Sequence, residues 1–251
     1  MAAGPRGKSL SYLDIVYADL GLKAGDYAHQ LVDHLVEKRL GGESLDSDGK
    51  PTKTLLDVGA GKGAQAAVFS RYFSVTTIDR HGDAQQTFDF LKIDANVVVA
   101  EIGEQPFPLP DNSFDVVFTK SVIEHVENWE HFLSEISRVL KPDGRAVVMT
   151  PNWTSQRVNF YDDPTHVRPY TLRTLDRALR MTEFDNIQIA DIYQLPFTWR
   201  MPFLKFIPWL LCKLPDSMKW RDQNQRKHRL LIRFSKETML LAIAQKRKSV
   251  K

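Results

Sequence analysis

Apolar runs of four to six residues recur along the middle of the chain, separated by polar turns that contain glycine or proline. Their length and their Val, Ile and Leu content predict buried strands. Five such strands are predicted at 54–58, 75–78, 97–100, 114–119 and 146–149. Helical spacing fills the segments between them, most clearly at 64–72 and 128–140. Continuous apolar strands that alternate with helices are typical of a parallel sheet buried on both faces.

The two ends of the chain depart from this alternation. Residues 12–40 have a helical pattern that ends at Gly41 and Gly42, which predicts a helical cover before the first strand. After residue 150 the pattern predicts a loop, a helix and two strands, at 151–170, 172–181, 187–192 and 238–244. About 45 residues separate those last two strands, which is too long for a hairpin loop. An inserted element is therefore predicted before the last strand.

Composition supports one large globular domain. The 251 residues are 43% hydrophobic and 26% charged, which is ordinary for a globular protein with a full core. Cys212 is the single cysteine, so the chain has neither an internal disulfide nor a cysteine-based metal cluster. Residues 1–10 lack the apolar stretch of a secretory signal, and a cytoplasmic location is the simplest expectation.

Charge is distributed unevenly along the chain. Residues 197–251 contain 14 Lys and Arg against 3 Asp and Glu, whereas residues 1–196 contain 20 against 28. A basic end on an acidic body indicates contact with an anionic partner.

The segment Leu55–Gly63, LLDVGAGKG, carries the first candidate chemistry. A strand, a glycine-rich turn and a helix follow one another there, and this order builds a nucleotide pocket because glycine lets a ligand approach the backbone closely. The same residues satisfy the relaxed dinucleotide fingerprint, and Asp79 lies near the spacing of its ribose-binding acid. On this turn alone, a methyl-donor site and a nicotinamide site both remain open.

Three further segments narrow the choice: TID at 77–79, PFPLPDNSFDVVF at 106–118 and SVIEHV at 121–126. Together with the glycine turn they resemble the class I S-adenosylmethionine-dependent methyltransferases, in the branch that acts on small molecules, lipids and sugars. The resemblance covers about residues 54–192 and extends to the last strand, at 236–247. It implies an α/β, Rossmann-like seven-stranded methyltransferase sheet whose last strand is antiparallel. It also implies S-adenosyl-L-methionine as cofactor.

A single methyltransferase domain is thus expected over 1–251. Its predicted parts are an N-terminal helical cover at 1–50, a cofactor-binding core at 51–195, a basic aromatic insert at 196–235 and a last strand with a tail at 236–251.

The resemblance also implies a set of cofactor-binding residues. It places the cofactor against Asp57, Gly59, Ala60, Gly61, Gly63, Asp79, Arg80, Glu101, Ile102, Thr119 and Lys120. In this assignment Asp57 orders the turn and the amino end of the ligand, and Asp79 accepts both ribose hydroxyls, for which a carboxylate is suited because it offers only acceptors. Glu101 takes the adenine amino group, although the family more often has Asp there. Thr119 and Lys120 end the fourth strand beside the sulfonium.

Two histidines compete as the base for a hydroxyl acceptor, a task that suits imidazole because its ordinary pKa is about 6.5. His125 opens the segment after the fourth strand, but in much of the family this position is structural. His166 lies in the loop DDPTHVRPY, which follows the fifth strand at the carboxyl edge of the sheet, where ligands bind. Similar loops in the family border the acceptor pocket, which favours His166 as base or acceptor-orienting residue; loop bracing is the alternative. Metal ligation by Asp162, Asp163 and His166 has no second supporting cluster, so no metal is predicted.

The acceptor is expected to be an oxygen. The Asn/Asp-Pro-Pro-Tyr signature of enzymes that methylate the amino groups of bases is missing at the end of the fourth strand, where Thr119-Lys120-Ser121 stands. The predicted activity is therefore O-methylation of a small molecule, a sugar or a lipid-linked glycan. An NAD-dependent oxidoreductase and a catalytically inactive methyltransferase-like binding module are the alternatives.

The insert combines aromatic and basic residues. Its segment 196–215, PFTWRMPFLKFIPWLLCKLP, is too short to span a bilayer and is interrupted by Pro208. Tryptophan flanked by Lys and Arg is typical of an interfacial segment, and a strongly basic run, 219–233, follows it. One hypothesis places residues 197–233 on an anionic membrane surface, which would make the protein peripheral. A lid packed on its own core is the alternative, and contact with RNA is less favoured.

Overall fold

The computed structural model describes residues 24–42, 45–222 and 227–248. Within them the chain forms one seven-stranded sheet and a short hairpin. The strands are β1 (Thr54–Val58), β2 (Ser74–Asp79), β3 (Asn96–Val99), β4 (Phe114–Lys120), β5 (Leu140–Pro151), β6 (Phe184–Ile192), β7 (Trp220–Asp222), β8 (Lys227–His228) and β9 (Met239–Lys246). The helices are α1 (Ala24–Leu35), α2 (Ala64–Phe69), α3 (Ala84–Leu91), α4 (Trp129–Val139), α5 (Trp153–Gln156), α6 (Leu172–Met181), α7 (Phe197–Arg200), α8 (Phe206–Leu211) and α9 (Leu230–Lys236).

The sheet confirms the predicted fold class. Its strand order is β3-β2-β1-β4-β5-β9-β6. The pairs β1–β2, β1–β4, β2–β3 and β4–β5 are parallel, and β9 runs antiparallel between β5 and β6. The strand order reverses at β1, whose neighbours are β2 and β4, so the crevice beyond the carboxyl ends of these strands is the expected ligand position.

Helices cover both faces of the sheet. On one face α1, α2 and α3 pack against side chains such as Leu55, Phe118 and Met149. On the other face α4 and α6 pack against side chains such as Leu56, Val117 and Val148. Neighbouring positions of β1 therefore point into different cores, as expected from the alternation of side chains along a strand. This burial on both faces explains the continuous apolar strands seen in the sequence.

The N-terminal cover is present over the described residues. Helix α1 and the π-helical turn Val36–Leu40 bury Leu31, Val32 and Leu35, and Gly41 follows with φ 89°. Residues 12–23 of the predicted helical segment lie outside the described residues.

The insert between β6 and β9 is built from short helices, 3-10 turns and the hairpin β7–β8. Trp199 anchors its first part: its indole N–H donates to the carbonyl of Tyr193 over 2.9 Å, and its ring meets Tyr27 of α1 edge-on. Glu237 anchors its last part, because this buried carboxylate pairs with Lys219 at 3.2 Å and with Arg233 at 2.7 Å. The insert is therefore tied to the body at both ends.

Those pairs change the interpretation of the basic run. Lys219 and Arg233 are engaged by Glu237 within the protein, and Arg229 is exposed. The side chains of Arg221, Arg226 and Lys227 lie outside the described part of the chain. Where the structure describes the chain, no helix has both the length and the apolar content needed to cross a bilayer.

Candidate functional site

The glycine turn joins the carboxyl end of β1 to α2. Gly59 has φ 75°, and its N–H donates to the carbonyl of Ile78 over 2.8 Å. A Cβ at this position would lie 2.2 Å from Cγ2 of Val122, which is far inside van der Waals contact. Gly61 and Gly63 also have positive φ values, of 54° and 76°. The backbone bends where it does because three glycines tolerate the left-handed region.

Asp79 fastens this turn to β2. Its Oδ2 accepts from the backbone N–H of Gly61 over 2.9 Å, and its Oδ1 accepts from the N–H of His81 over 3.0 Å. Each carboxylate oxygen has two lone-pair sites, so both retain the capacity to accept a ligand hydroxyl. Asp79 therefore lies at the predicted place and also orders the turn.

Asp57, which is buried, and Lys120, which is half-buried, form the electrostatic centre of the site. Burial raises the pKa of Asp57 to about 7, and the nearby negative charge of Asp79 acts in the same direction, while Lys120 opposes both. Burial likewise lowers the pKa of Lys120, against the attraction of Glu124 and Asp57. The ammonium of Lys120 lies 5.9 Å from the ring centroid of Tyr27, so α1 borders this centre.

The remaining predicted cofactor residues surround the turn. Arg80 and Glu101 form an exposed ion pair of 3.2 Å at the ends of β2 and β3. Ala60 and Thr119 are buried, and Ile102 is half-buried against the core. The structure thus gathers the predicted set around the carboxyl ends of β1, β2, β3 and β4.

The two competing histidines are neighbours. The ring centroids of His125 and His166 lie 4.7 Å apart. Nδ1 of His166 donates to the carbonyl of Phe160 over 2.6 Å, and the Phe160 ring lies 4.3 Å away between centroids. Nδ1 of His125 lies 2.8 Å from Oγ1 and 3.2 Å from the carbonyl oxygen of Thr165. The loop after β5 therefore holds both rings.

Glu124 is a site residue that the sequence interpretation missed. Its side chain is buried, its Oε2 accepts from the Thr150 hydroxyl over 2.9 Å, and its Oε1 has no hydrogen-bond partner among the described residues. Burial raises its pKa to about 7. Its carbonyl accepts from the N–H groups of Val167 and Arg168, which joins the segment after β4 to the histidine loop. The sequence signal that could have identified Glu124 was its position next to His125 in the segment SVIEHV.

The acids of the histidine loop have separate positions. Asp163 braces the loop: its Oδ1 accepts from the N–H and the hydroxyl of Thr165 over 2.9 and 2.6 Å. Asp162 is exposed in the 3-10 turn Phe160–Asp162. Among the described residues, the group whose potential ligand atoms lie within 4.8 Å of one another is Glu124, His125 and His166.

Sequence comparison matches part of the chain to a known family and to several known proteins. Residues 56–148 match the family described as methyltransferase domain. An uncharacterized methyltransferase, YcgJ of Bacillus subtilis, is 27% identical over 168 residues, covering 62% of this chain and 63% of that protein. A ubiquinone biosynthesis O-methyltransferase of Rickettsia typhi is 35% identical over 113 residues, covering 42% and 44%. The segments that this chain matches span 40%, 63% and 44% of the length of three curated relatives.

Solved structures show the same fold. Phosphoethanolamine N-methyltransferase 2 of Haemonchus contortus, in complex with S-adenosyl-L-methionine, aligns with a TM-score of 0.60 at 19% identity, covering 96% of this chain and 61% of that one. The YcgJ structure aligns with a TM-score of 0.57 at 19% identity and is covered completely.

Residues 56–148, which include the glycine turn and strands β2 to β4, thus match a methyltransferase domain, and the chain has the fold of the solved Haemonchus contortus methyltransferase. The cofactor of this family is S-adenosylmethionine, as the sequence predicted.

Proposed function

We propose that this protein is an S-adenosylmethionine-dependent O-methyltransferase that uses the His125–His166 pair to receive a hydroxyl acceptor. The observation that carries the proposal is the position of this pair. It lies on the segments that follow β4 and β5, at the same sheet edge as the glycine turn after β1. Methyl donor and acceptor must meet at such an edge.

The cofactor residues fit the donor. Asp79 would take the ribose hydroxyls, Glu101 the adenine amino group with Ile102 against the ring, and Asp57 the amino end. When bound, S-adenosylmethionine supplies a methyl group on a positively charged sulfur, which is already an activated leaving group. The backbone at Thr119 and Lys120 borders that position, and its carbonyls would complement the positive charge. Positioning alone can contribute effective molarities of roughly 10⁵ M.

The state of His166 suits its proposed role. Because a carbonyl oxygen can only accept, the 2.6 Å contact with Phe160 places the proton of the neutral ring on Nδ1. Nε2 is then an acceptor, able to take the proton of the acceptor hydroxyl or to orient it. His125 packs against this ring and would help to align it.

A variant series tests the proposal. His166→Asn should lower methyl transfer to hydroxyl acceptors by about 10²–10⁴-fold, the range of general acid–base contributions, while leaving S-adenosylhomocysteine affinity unchanged. His29→Gln is the matched control, because His29 lies on α1 beside Arg71. Transfer at the wild-type rate by His166→Asn would contradict the role of His166. A wild-type chain that binds the cofactor and methylates none of a panel of hydroxyl acceptors would support the inactive binding module.

We further propose that the methyl acceptor is a lipid-linked molecule at an anionic membrane surface. Several large apolar side chains described in the insert are exposed, and we call the four most exposed of them the insert patch: Phe203 at 72%, Phe206 at 59%, Trp209 at 57% and Leu210 at 58%. Lys213 lies 3.7 Å above the Trp209 ring. Exposed aromatics beside a basic side chain are the composition of an interfacial segment.

Vesicle co-sedimentation tests this part. Wild-type protein should sediment with anionic liposomes at moderate salt, and Phe206→Ala with Trp209→Ala should remove most of the binding. Phe90→Ala is the control, since Phe90 is 85% exposed on α3 outside the insert. Wild-type protein that stays in the supernatant, or binds RNA instead, would contradict the membrane surface.

A further inference from the structure

Glu124, His125 and His166 each offer a potential metal-ligand atom, whereas accepting a proton from a hydroxyl needs only one of them. We propose that these three residues bind a divalent transition-metal cation and that the acceptor hydroxyl docks on it. This inference rests on the proposed function for the position of the acceptor. It assigns a new ligand to the same edge of the sheet.

Both imidazoles have the tautomer that a metal site needs. His166 donates its Nδ1–H to the Phe160 carbonyl. Thr165 donates its hydroxyl proton to Asp163, so its oxygen accepts from Nδ1 of His125, as does its carbonyl. In each neutral ring Nε2 then carries the lone pair. Metal-binding histidines characteristically donate their other N–H to a carbonyl or carboxylate in this way.

Glu124 supplies the anionic ligand. Its buried Oε1 has no partner in the described part of the chain, and leaving a buried polar atom unpaired costs free energy. A bound cation would satisfy this oxygen and hold the carboxylate ionised. The other carboxylate oxygen, Oε2, accepts from the Thr150 hydroxyl. This contact fixes the carboxylate as a second-layer hydrogen bond would.

The spacing fits a first-row transition metal. Each of the three residues offers a ligand atom, an imidazole nitrogen or a carboxylate oxygen, and these atoms lie within 4.8 Å of one another. Metal–ligand bonds of about 2.0–2.2 Å place tetrahedral ligand atoms roughly 3.4 Å apart. Side-chain rotations that move these atoms by roughly 1 Å would therefore complete the site. Two imidazoles and one carboxylate suit Zn²⁺, Mn²⁺, Fe²⁺ or Co²⁺ better than Mg²⁺ or Ca²⁺, and they leave positions open.

The surrounding charges are compatible with a cation. Asp163 Oδ2 lies 3.9 Å from Nε2 of His166 and adds a second negative charge beside Glu124. Lys120, near Glu124, and Arg80, near His125, are opposing positive charges, and burial already lowers the pKa of Lys120. A cation in this position would lower the pKa of a bound hydroxyl, whose proton passes to solvent. The histidines would then orient the acceptor through the metal instead of by a direct hydrogen bond.

Cobalt titration tests the site without depending on activity. Chelator-treated protein of residues 1–251 should bind one equivalent of Co²⁺ and develop the visible absorption of a nitrogen- and oxygen-ligated ion. Glu124→Gln and His166→Ala should each weaken binding at least tenfold. Asp162→Asn is the matched control and should bind as wild type, because Asp162 is exposed outside the cluster.

The outcomes separate this inference from the proposed function. Wild-type protein that binds no Co²⁺, or a Glu124→Gln variant with unchanged Co²⁺ affinity, overturns the metal site. S-adenosylhomocysteine affinity, measured on the same samples, should be equal in all variants and shows that each is folded. Protection of wild-type histidines from diethylpyrocarbonate by Co²⁺ gives a second readout that needs no variant; equal modification with and without Co²⁺ would also overturn the site.

Discussion

His125 and His166 lie 4.7 Å apart between ring centroids, although they come from the connections after two different strands. The link is made by main-chain contacts: the carbonyl of Glu124 accepts from Val167 and Arg168, and Thr165 holds the His125 ring. His125 and His166, which the sequence offered as alternative bases, therefore form a single structural unit. Replacing either ring should disturb the other.

Replacement of Asp79 should weaken the cofactor site. In Asp79→Ala the ribose hydroxyls lose their proposed acceptor, and Gly61 and His81 lose the acceptor that orders the turn. We expect S-adenosylhomocysteine affinity to fall by about 1–3 kcal/mol, measured calorimetrically. Asp89→Ala is the control, because Asp89 is an exposed acid that accepts from Gln85 on α3. Equal affinity in Asp79→Ala and wild type would remove the ribose role.

Gly59→Ala should be more harmful than a backbone penalty alone. Its Cβ would lie 2.2 Å from Val122, in addition to the strain of φ 75°. Gly49 has the same φ of 75° with nothing within 4 Å, so Gly49→Ala measures the backbone strain by itself, about 1 kcal/mol. Thermal unfolding should show a clearly larger loss for Gly59→Ala, which Val122→Ala should partly reverse. Equal losses at both glycines would contradict the close packing of the turn.

Cofactor affinity should depend on pH through Asp57. The pKa of this carboxyl in the free protein is raised to about 7, whereas an unfolded Asp titrates near 4. The native state therefore holds a proton that the unfolded state releases, and the contribution of Asp57 to stability declines as the pH rises from about 4 through 7. Binding of a cationic amino group favours the ionised form. Affinity for S-adenosylhomocysteine should thus rise about tenfold between about pH 6 and 8.

Asp57→Asn isolates this effect. The amide cannot ionise, so the affinity of this variant should be nearly flat over the same pH range. Calorimetry in buffers of different ionisation enthalpy should also show proton release on binding by the wild type alone. A variant with the wild-type pH dependence would assign the proton to another group.

Glu237 should stabilise the insert strongly. Its buried carboxylate pairs with Lys219, whose side chain is also buried, and with Arg233. Glu237→Gln leaves a buried lysine without its counter-charge, and we expect a loss of about 3–5 kcal/mol in unfolding free energy. Asp185→Asn is the control: its pair with Arg247 is exposed, so its loss should stay below about 1 kcal/mol. Chemical denaturation measures both, and similar losses would contradict the anchoring role.

The sequence predicted the fold well where burial alone sets the pattern. Strand β1 and helix α6 have the predicted bounds, because β1 is buried on both faces and the Thr171 capping box starts α6. Strand β6 begins at Phe184, three residues before its prediction, since the irregular pairing between Asp185 and Gln188 interrupts the apolar alternation. Strand β5 starts at Leu140, because Leu140 pairs with Phe114 before the irregularity that precedes Val116. Residues 141–144, which separate the predicted helix at 128–140 from the predicted strand at 146–149, therefore lie within β5.

The functional site likewise has a part that local sequence signals predicted and a part that they did not. Glycines and strand-end acids are local signals, so the turn and Asp79 were predictable. Contacts between distant loops are not local, so the pairing of His125 with His166 could not be read from spacing. Glu124 was missed because an acid beside a histidine on a helical turn usually faces solvent, whereas here Thr150 and the histidine loop enclose it.

The most direct test of the central claim is a calorimetric titration of the wild-type chain with S-adenosylhomocysteine and, separately, with NAD. We predict that S-adenosylhomocysteine binds with one-to-one stoichiometry and that NAD neither binds nor competes. Absence of S-adenosylhomocysteine binding, or competitive binding of NAD at the glycine turn, would contradict the assignment of this site to a methyl donor.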